Sequence, residues 1–141
     1  MHVEVSFIVK ARREKVYAAY TDFENWPKWS REVSTKIIGR EGNVITVQSE
    51  TVSARRPRTA VARLTTFPPE RVETEGETRF TRTRRLVRFE EVPEGTKVTA
   101  SLDAFVKGRW GWILAPRLNE NAGTSALEEL KSFATYAEGL P

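Results

Sequence analysis

Val3, Val5, Phe7 and Val9 take every second position at the start of the chain, the period of a strand with one buried face. The period then changes. Val16, Ala19, Tyr20 and Phe23 stand at i, i+3, i+4 and i+7, which places them on one face of a helix of about two to three turns. Asp22 and Pro27 interrupt it, and FENWPKWS (23–30) has room only for a short second helical turn. From about residue 33 the pattern is strand and turn. EVSTKIIGR (32–40) meets NVITVQSETV (43–52) across Glu41-Gly42-Asn43, and RTAVARLTTF (58–67) ends at Pro68-Pro69. RVETE (71–75) meets TRFTRTRRLVRFEEV (78–92) around Gly76, and Pro93-Glu94-Gly95-Thr96 turns into KVTASLDAFV (97–106). Consecutive strands joined by short turns predict an antiparallel meander.

Helical period returns at the end. At 100° per residue, Ala115, Asn119, Ala122, Ala126, Leu130, Phe133 and Ala137 share one sector, with Glu120, Thr124, Glu128, Lys131 and Thr135 opposite. The spacing predicts a long amphipathic helix over roughly 116–138, begun near Pro116 and stopped by Gly139 and Pro141. Its apolar face is made of small residues, so it predicts either a close approach to a sheet or an unfilled space.

Composition narrows the chemistry. A chain of 141 residues fits one domain over 1–141, with a core of its own. No apolar run approaches the ~20 residues of a membrane span, and the N-terminus reads as a strand rather than a leader, so a cytoplasmic protein is expected. With no cysteine and one histidine, His2, thiolate chemistry, disulfides and most zinc sites are excluded. No cofactor or resident metal is expected. Few amides and many Arg and Glu point mildly to a thermophile. The net charge is +4, and basic residues concentrate in SARRPRTAVAR (53–63) and RFTRTRRLVRFEE (79–91). Such strands read as a solvated sheet face carrying cross-strand Arg–Glu pairs, with attraction to anionic partners as the other reading.

Three segments carry a family resemblance: EKVYAAYTDFENWPKWSREV (14–33), FPPERV (67–72) and FEEVPEGTKVTASLDAFVKGRWGWILAP (89–116). With the element order, they make the whole chain resemble the START-like (SRPBCC) superfamily, particularly its polyketide cyclase/dehydrase and lipid transport branch and its coenzyme Q-binding branch. The resemblance implies an α+β helix-grip fold, in which a curved seven-stranded antiparallel sheet wraps around a long C-terminal helix. Two short helices follow the first strand. It also implies a cavity between sheet and helix for lipids, isoprenoids or polyketide-like molecules. In such folds the short helices support the far end of the long one, so Trp26 and Trp29 are expected to be scaffold.

Candidate ligand-binding residues follow from register. If the strand 79–91 pairs directly across the Pro93–Thr96 turn, Phe89 and Val87 face inward, and alternation carries Arg85, Thr83 and Thr81 with them. A bulge would instead bring Phe80 and Leu86 inside. An inward Arg85 needs a carboxylate or an anionic ligand group. Asn119 is the polar residue at the centre of the helix face, suited either to a ligand's polar head or to a backbone hydrogen bond. Phe133 lies on the same face. Trp110 and Trp112, between the last strand and the helix and flanked by Lys107, Arg109 and Arg117, suit a gate, a membrane contact or a cover over the core.

The reading that fits best is a binding or transport protein for an apolar or amphipathic small molecule. One alternative is a polyketide cyclase/dehydratase-type enzyme, for which Asp103, the glutamates, the tyrosines and the arginines are the available acid–base groups. Another is an interaction module touching an anionic membrane or a protein through the basic sheet and the Trp110–Trp112 loop. Nucleic acid is not an expected partner, because aromatic residues do not interleave with the basic strand. The oligomeric state is left open.

Overall fold

The computed structural model describes the backbone of residues 2–30, 32–53, 56–77, 81–106 and 111–141, and the side chains of these ranges except 52, 53, 56–58, 106 and 111–124. Strand β1 (His2–Val9) leads to helix α1 (Arg13–Thr21) and a 3₁₀ helix (Phe23–Lys28). Strands β2 (Glu32–Glu41), β3 (Val44–Ser53), β4 (Arg56–Phe67), β5 (Arg71–Glu77), β6 (Thr81–Val92) and β7 (Gly95–Val106) follow. Helix α2 (Gly111–Glu138) completes the chain. The strands form one antiparallel seven-stranded sheet in the order β1-β7-β6-β5-β4-β3-β2. A meander from β2 to β7 is thus closed by β1, which pairs with β7. This is the curved sheet and long helix that the resemblance implies.

Alternation decides what each strand buries. Val9, Val98, Phe89, Val87, Val72, Leu64, Val47 and Ile45 point inward and are almost fully buried. Onto this face α2 packs Leu130, Phe133, Ala134 and Ala137, leaving Glu128, Lys131 and Thr135 exposed. The small Ala134 and Ala137 let the helix lie close to the sheet, chiefly over β1 and β7. The end of α2 is tied back by Glu138 Oε1, which accepts from the Lys10 amide at 2.8 Å, and by the Leu140 carbonyl, which accepts from Lys15 Nζ at 2.6 Å.

The short helices fill the end of this sandwich. Val16, Ala19, Tyr20 and Phe23 are all buried, as their spacing requires, and Trp26 and Trp29 join them at 6% and 8% exposure. Trp26 Nε1 donates to the Tyr20 carbonyl at 2.7 Å, and Trp29 stacks edge-on against Phe133 at 4.9 Å between centroids. Both tryptophans belong to the core that joins α1, the 3₁₀ helix and α2.

Two boundaries differ from the sequence reading. Helix α2 begins at Gly111, so Trp112, Ile113 and Leu114 belong to the helix and not to the junction before it. Pro116 suits a first turn, which made it a start signal, yet here it sits more than a turn inside. Gly76 lies within β5, opposite Thr83, rather than in the turn to β6. A Cβ there would stand 2.8 Å from Thr83 Oγ1, so the glycine serves a close approach of strands.

Candidate functional site

Strand β6 pairs with β7 without a register shift: Phe89 opposite Val98, Val87 opposite Ala100, Arg85 opposite Leu102 and Thr83 opposite Ala104. The direct pairing across the turn therefore holds, and Leu86 falls on the outer row opposite Ser101. Phe80, the other residue of the bulged alternative, lies outside the described residues. Arg85 is thereby carried onto the inner face, in a row that also contains Leu64 and Thr74.

Above Arg85 a small space of about 40 Å³ separates the sheet from α2. Its floor is Val87, Ala100 and Leu102, its roof Ala126, Glu129 and Leu130, and Tyr20 and Trp29 close one side. That volume suits a water or two, or one polar group of a larger molecule. It is far below the ~300 Å³ of a typical ligand pocket.

The polar groups around it are unusual for so apolar a wall. Burial acts against the charge of Arg85, but the Tyr20 hydroxyl and the Glu129 and Glu32 carboxylates outweigh it and raise its pKa. The expected carboxylate partners are thus supplied by the chain. Burial also raises the pKa of Tyr20, with Arg85 opposing, so the phenol keeps its proton at neutral pH. Its hydroxyl lies beside the Arg85 guanidinium without reaching a hydrogen bond of good geometry. Trp29 Nε1 and Thr74 Oγ1 are likewise buried without a hydrogen-bond partner among the described residues. Three unshared donors thus belong to residues around or beside one guanidinium.

The other residues singled out from sequence take different places. Phe89 and Phe133 are fully buried in the core, each in edge-on contact with the Tyr20 ring, at 5.6 and 5.7 Å. Thr83 lies one inward step beyond Arg85, and its hydroxyl donates to the Gly76 carbonyl at 3.4 Å. Trp112 and Asn119 belong to α2 but their side chains lie outside the described residues, as does Trp110 altogether. Asp103 faces outward and pairs with His2 at 2.6 Å, so it does not serve the inner space.

Sequence reasoning passed over Glu129, Tyr20 and Thr74 as site residues. For Glu129 a signal existed, since it stands three residues after Ala126 and four before Phe133, on the flank of the buried face. Among the described residues no three His, Asp or Glu side chains come together to hold a metal ion, and no helix is long and apolar enough to cross a membrane. A larger hollow, about 1220 Å³, opens on the outer face of the sheet. It is bordered by exposed ion pairs and lacks the convergence of buried polar groups that marks the inner space.

Comparison with known proteins agrees with this architecture. No curated protein sequence matches the chain. Among solved structures, TTHA0849 from Thermus thermophilus superposes with a TM-score of 0.83 at 19% identity, over 97% of each chain. The Zhui aromatase/cyclase from Streptomyces sp. R1128 gives 0.82 at 13%, over 98% of this chain and 93% of that one. A START superfamily protein from Mycobacterium smegmatis gives 0.78 at 19%, over 99% of each. At these identities the likeness is one of fold. The sequence itself matches the family model for polyketide cyclase/dehydrase and lipid transport over residues 1–138, and the chain belongs to that family.

Proposed function

We propose that the protein binds a hydrophobic small molecule between the sheet and α2, with a carbonyl or hydroxyl oxygen of the ligand held by Arg85 and Tyr20. The observation that carries this reading is the inward Arg85, set in an apolar wall beside buried donors that have no partner. Glu129 and Glu32 already compensate the guanidinium charge. What remains on offer is N–H and O–H donors, which favours a neutral acceptor over an anion. The described space takes only the polar group. The apolar body of the ligand is proposed to run along β6 and β7 past Thr83 and Ala104, towards the first half of α2.

Quenching of tryptophan fluorescence by 2-undecanone, with undecane as control, tests the reading because Trp29 borders the space. Replacing Arg85 by methionine is expected to weaken the ketone about tenfold or more, the worth of a hydrogen bond to a charged group, and to leave the alkane unchanged. Equal ketone affinity in both proteins would overturn it.

A second reading, a cyclase or dehydratase, is favoured by one contact. A phenol that keeps its proton beside a guanidinium can donate a hydrogen bond to a carbonyl oxygen, and the two together would stabilise the enolate oxygen formed when a carboxylate such as Glu129, on the roof of the space, takes the α-proton. Tyr20→Phe is then expected to abolish turnover of a poly-β-ketone while weakening its binding by no more than about tenfold, the worth of one neutral hydrogen bond. Undiminished turnover would eliminate this role.

A further inference from the structure

The inner face of the sheet changes character at Arg85. Towards the β6–β7 turn its positions hold Val72, Val87, Phe89 and Val98, all hydrocarbon and none more than 2% exposed. One inward step the other way, a row crosses β6, β5 and β4 through Thr83, Gly76 and Ala62, and ends against Val47 on β3. A second step brings Thr81 on β6, and Ala60 opposite Ser49 on β4 and β3. Both rows face inward by alternation with Arg85, Leu64 and Val47. Thr35, opposite Ser49, agrees: its hydroxyl donates to the Phe23 carbonyl of the buried 3₁₀ helix. Thr83, Gly76, Ala62, Thr81, Ala60 and Ser49 are only half-buried, and none is larger than threonine.

Threonine and valine share one branched shape and both suit a strand, so strand formation does not decide between them. What changes past Arg85 is methyl to hydroxyl, on the face that the helix side covers. A hydroxyl packed against hydrocarbon without a partner is costly. Here the small neighbours leave the hydroxyls room instead. At the near end of this wall Tyr20 is 2% exposed, borders the polar space, and carries a hydroxyl without a hydrogen-bond partner among the described residues. Polar groups therefore stand at both ends of a stretch whose middle is alanine and glycine.

We infer that the ligand carries oxygen at both ends: one oxygen at Arg85 and Tyr20, an apolar middle over Gly76 and Ala62, and a second hydroxyl or carbonyl oxygen met by Thr81, Thr83 and Ser49. The inference rests on the binding site proposed above and names the class of molecule that site takes, an amphiphile oxygenated at both ends rather than one with a plain hydrocarbon tail. Hydroxyl side chains both donate and accept, so the far wall can satisfy either oxygen. Four residues of β6 separate Arg85 from Thr81, about 14 Å at the rise of an antiparallel strand. The extended chain of 2-undecanone is of comparable length.

Titrating 2-undecanone beside 11-hydroxyundecan-2-one, which adds only a terminal hydroxyl, tests the inference through the fluorescence of Trp29. Buried against hydrocarbon, that hydroxyl would weaken binding about tenfold or more. Against the threonine rows the hydroxyketone is expected to bind at least as tightly as the ketone. Replacing Thr81 and Thr83 together by valine keeps their shape and is expected to weaken the hydroxyketone about tenfold while leaving 2-undecanone unchanged. Ser49→Ala probes the same wall from another strand, should the double replacement disturb β6, and is expected to weaken the hydroxyketone severalfold. A hydroxyketone bound tenfold more weakly than the ketone by the unaltered protein overturns the inference. So does a hydroxyketone indifferent to these replacements, the result expected if the rows merely face water. When either happens while the ketone still depends on Arg85, the binding site stands and only the two-ended ligand falls. A ketone that does not bind, or binds Arg85→Met equally well, overturns the site and this inference with it.

Discussion

Among the described residues Tyr20 has four aromatic neighbours: Trp26, Trp29, Phe89 and Phe133, all within 5.9 Å between ring centroids. Its ring belongs to the core and its hydroxyl borders the polar space, so one residue serves both. The consequence is readable in alkali. The folded-state pKa of Tyr20 is raised above its ordinary value of 10.0. Above that value the unfolded chain loses the proton first, so the stability due to the neutral phenol is complete below pH 10 and declines as pH rises towards the folded pKa. Urea unfolding at pH 8 and above pH 10 should therefore show a smaller alkaline loss in Tyr20→Phe than in the unaltered protein. An identical loss would mean that the hydroxyl is solvated. At pH 8 the substitution should change stability by no more than about 1 kcal/mol, because the hydroxyl has no well-formed hydrogen bond to lose. The inward direction of Arg85 was legible in sequence because alternation runs unbroken from Phe89 and no bulge intervenes. Its meeting with Tyr20 was not, since nothing local brings α1 over β6.

At the scale of elements, α2 contributes both halves of the design. Its last turns bury Leu130, Phe133, Ala134 and Ala137 against the sheet. Phe133 is completely buried between Tyr20 and Trp29, so truncating it leaves a cavity. Phe133→Ala is expected to cost about 3–5 kcal/mol, whereas Thr135→Ala on the exposed side should stay within about 0.5 kcal/mol. Denaturant midpoints would check the contrast, and equal effects would contradict the facing of the helix. That facing followed directly from the 3.6-residue period. The helix start did not, because Pro116 is permitted in a first turn and also tolerated further in. Gly76 misled for a related reason. Glycine marks turns, but here its missing Cβ admits Thr83 from the neighbouring strand. A residue type that serves two physical purposes cannot by itself say which one applies.

For the whole molecule, the short turns made an antiparallel meander legible, because they leave consecutive strands few alternatives, while the wrapping of the sheet around the long helix came from the family resemblance. The volume enclosed was not predictable. Small residues at Ala126 and Ala137 allowed either a gap or a tight fit, and the structure uses both: Ala137 is sealed against the core while Ala126 roofs the polar space. One further property follows from the closure of the sheet. Strand β1, the first made, pairs with residues 96–103 of β7, the last strand made. At about 5–20 residues per second, a growing chain carries β1 without its partner for roughly 5–20 seconds. During that interval β2 to β6 can zip as local hairpins, while Val3, Val5, Phe7 and Val9 wait with their apolar face open. Strand β1 therefore acts as the latch of the fold: made before the other six strands, late to be seated, and the segment most in need of shelter while they are made.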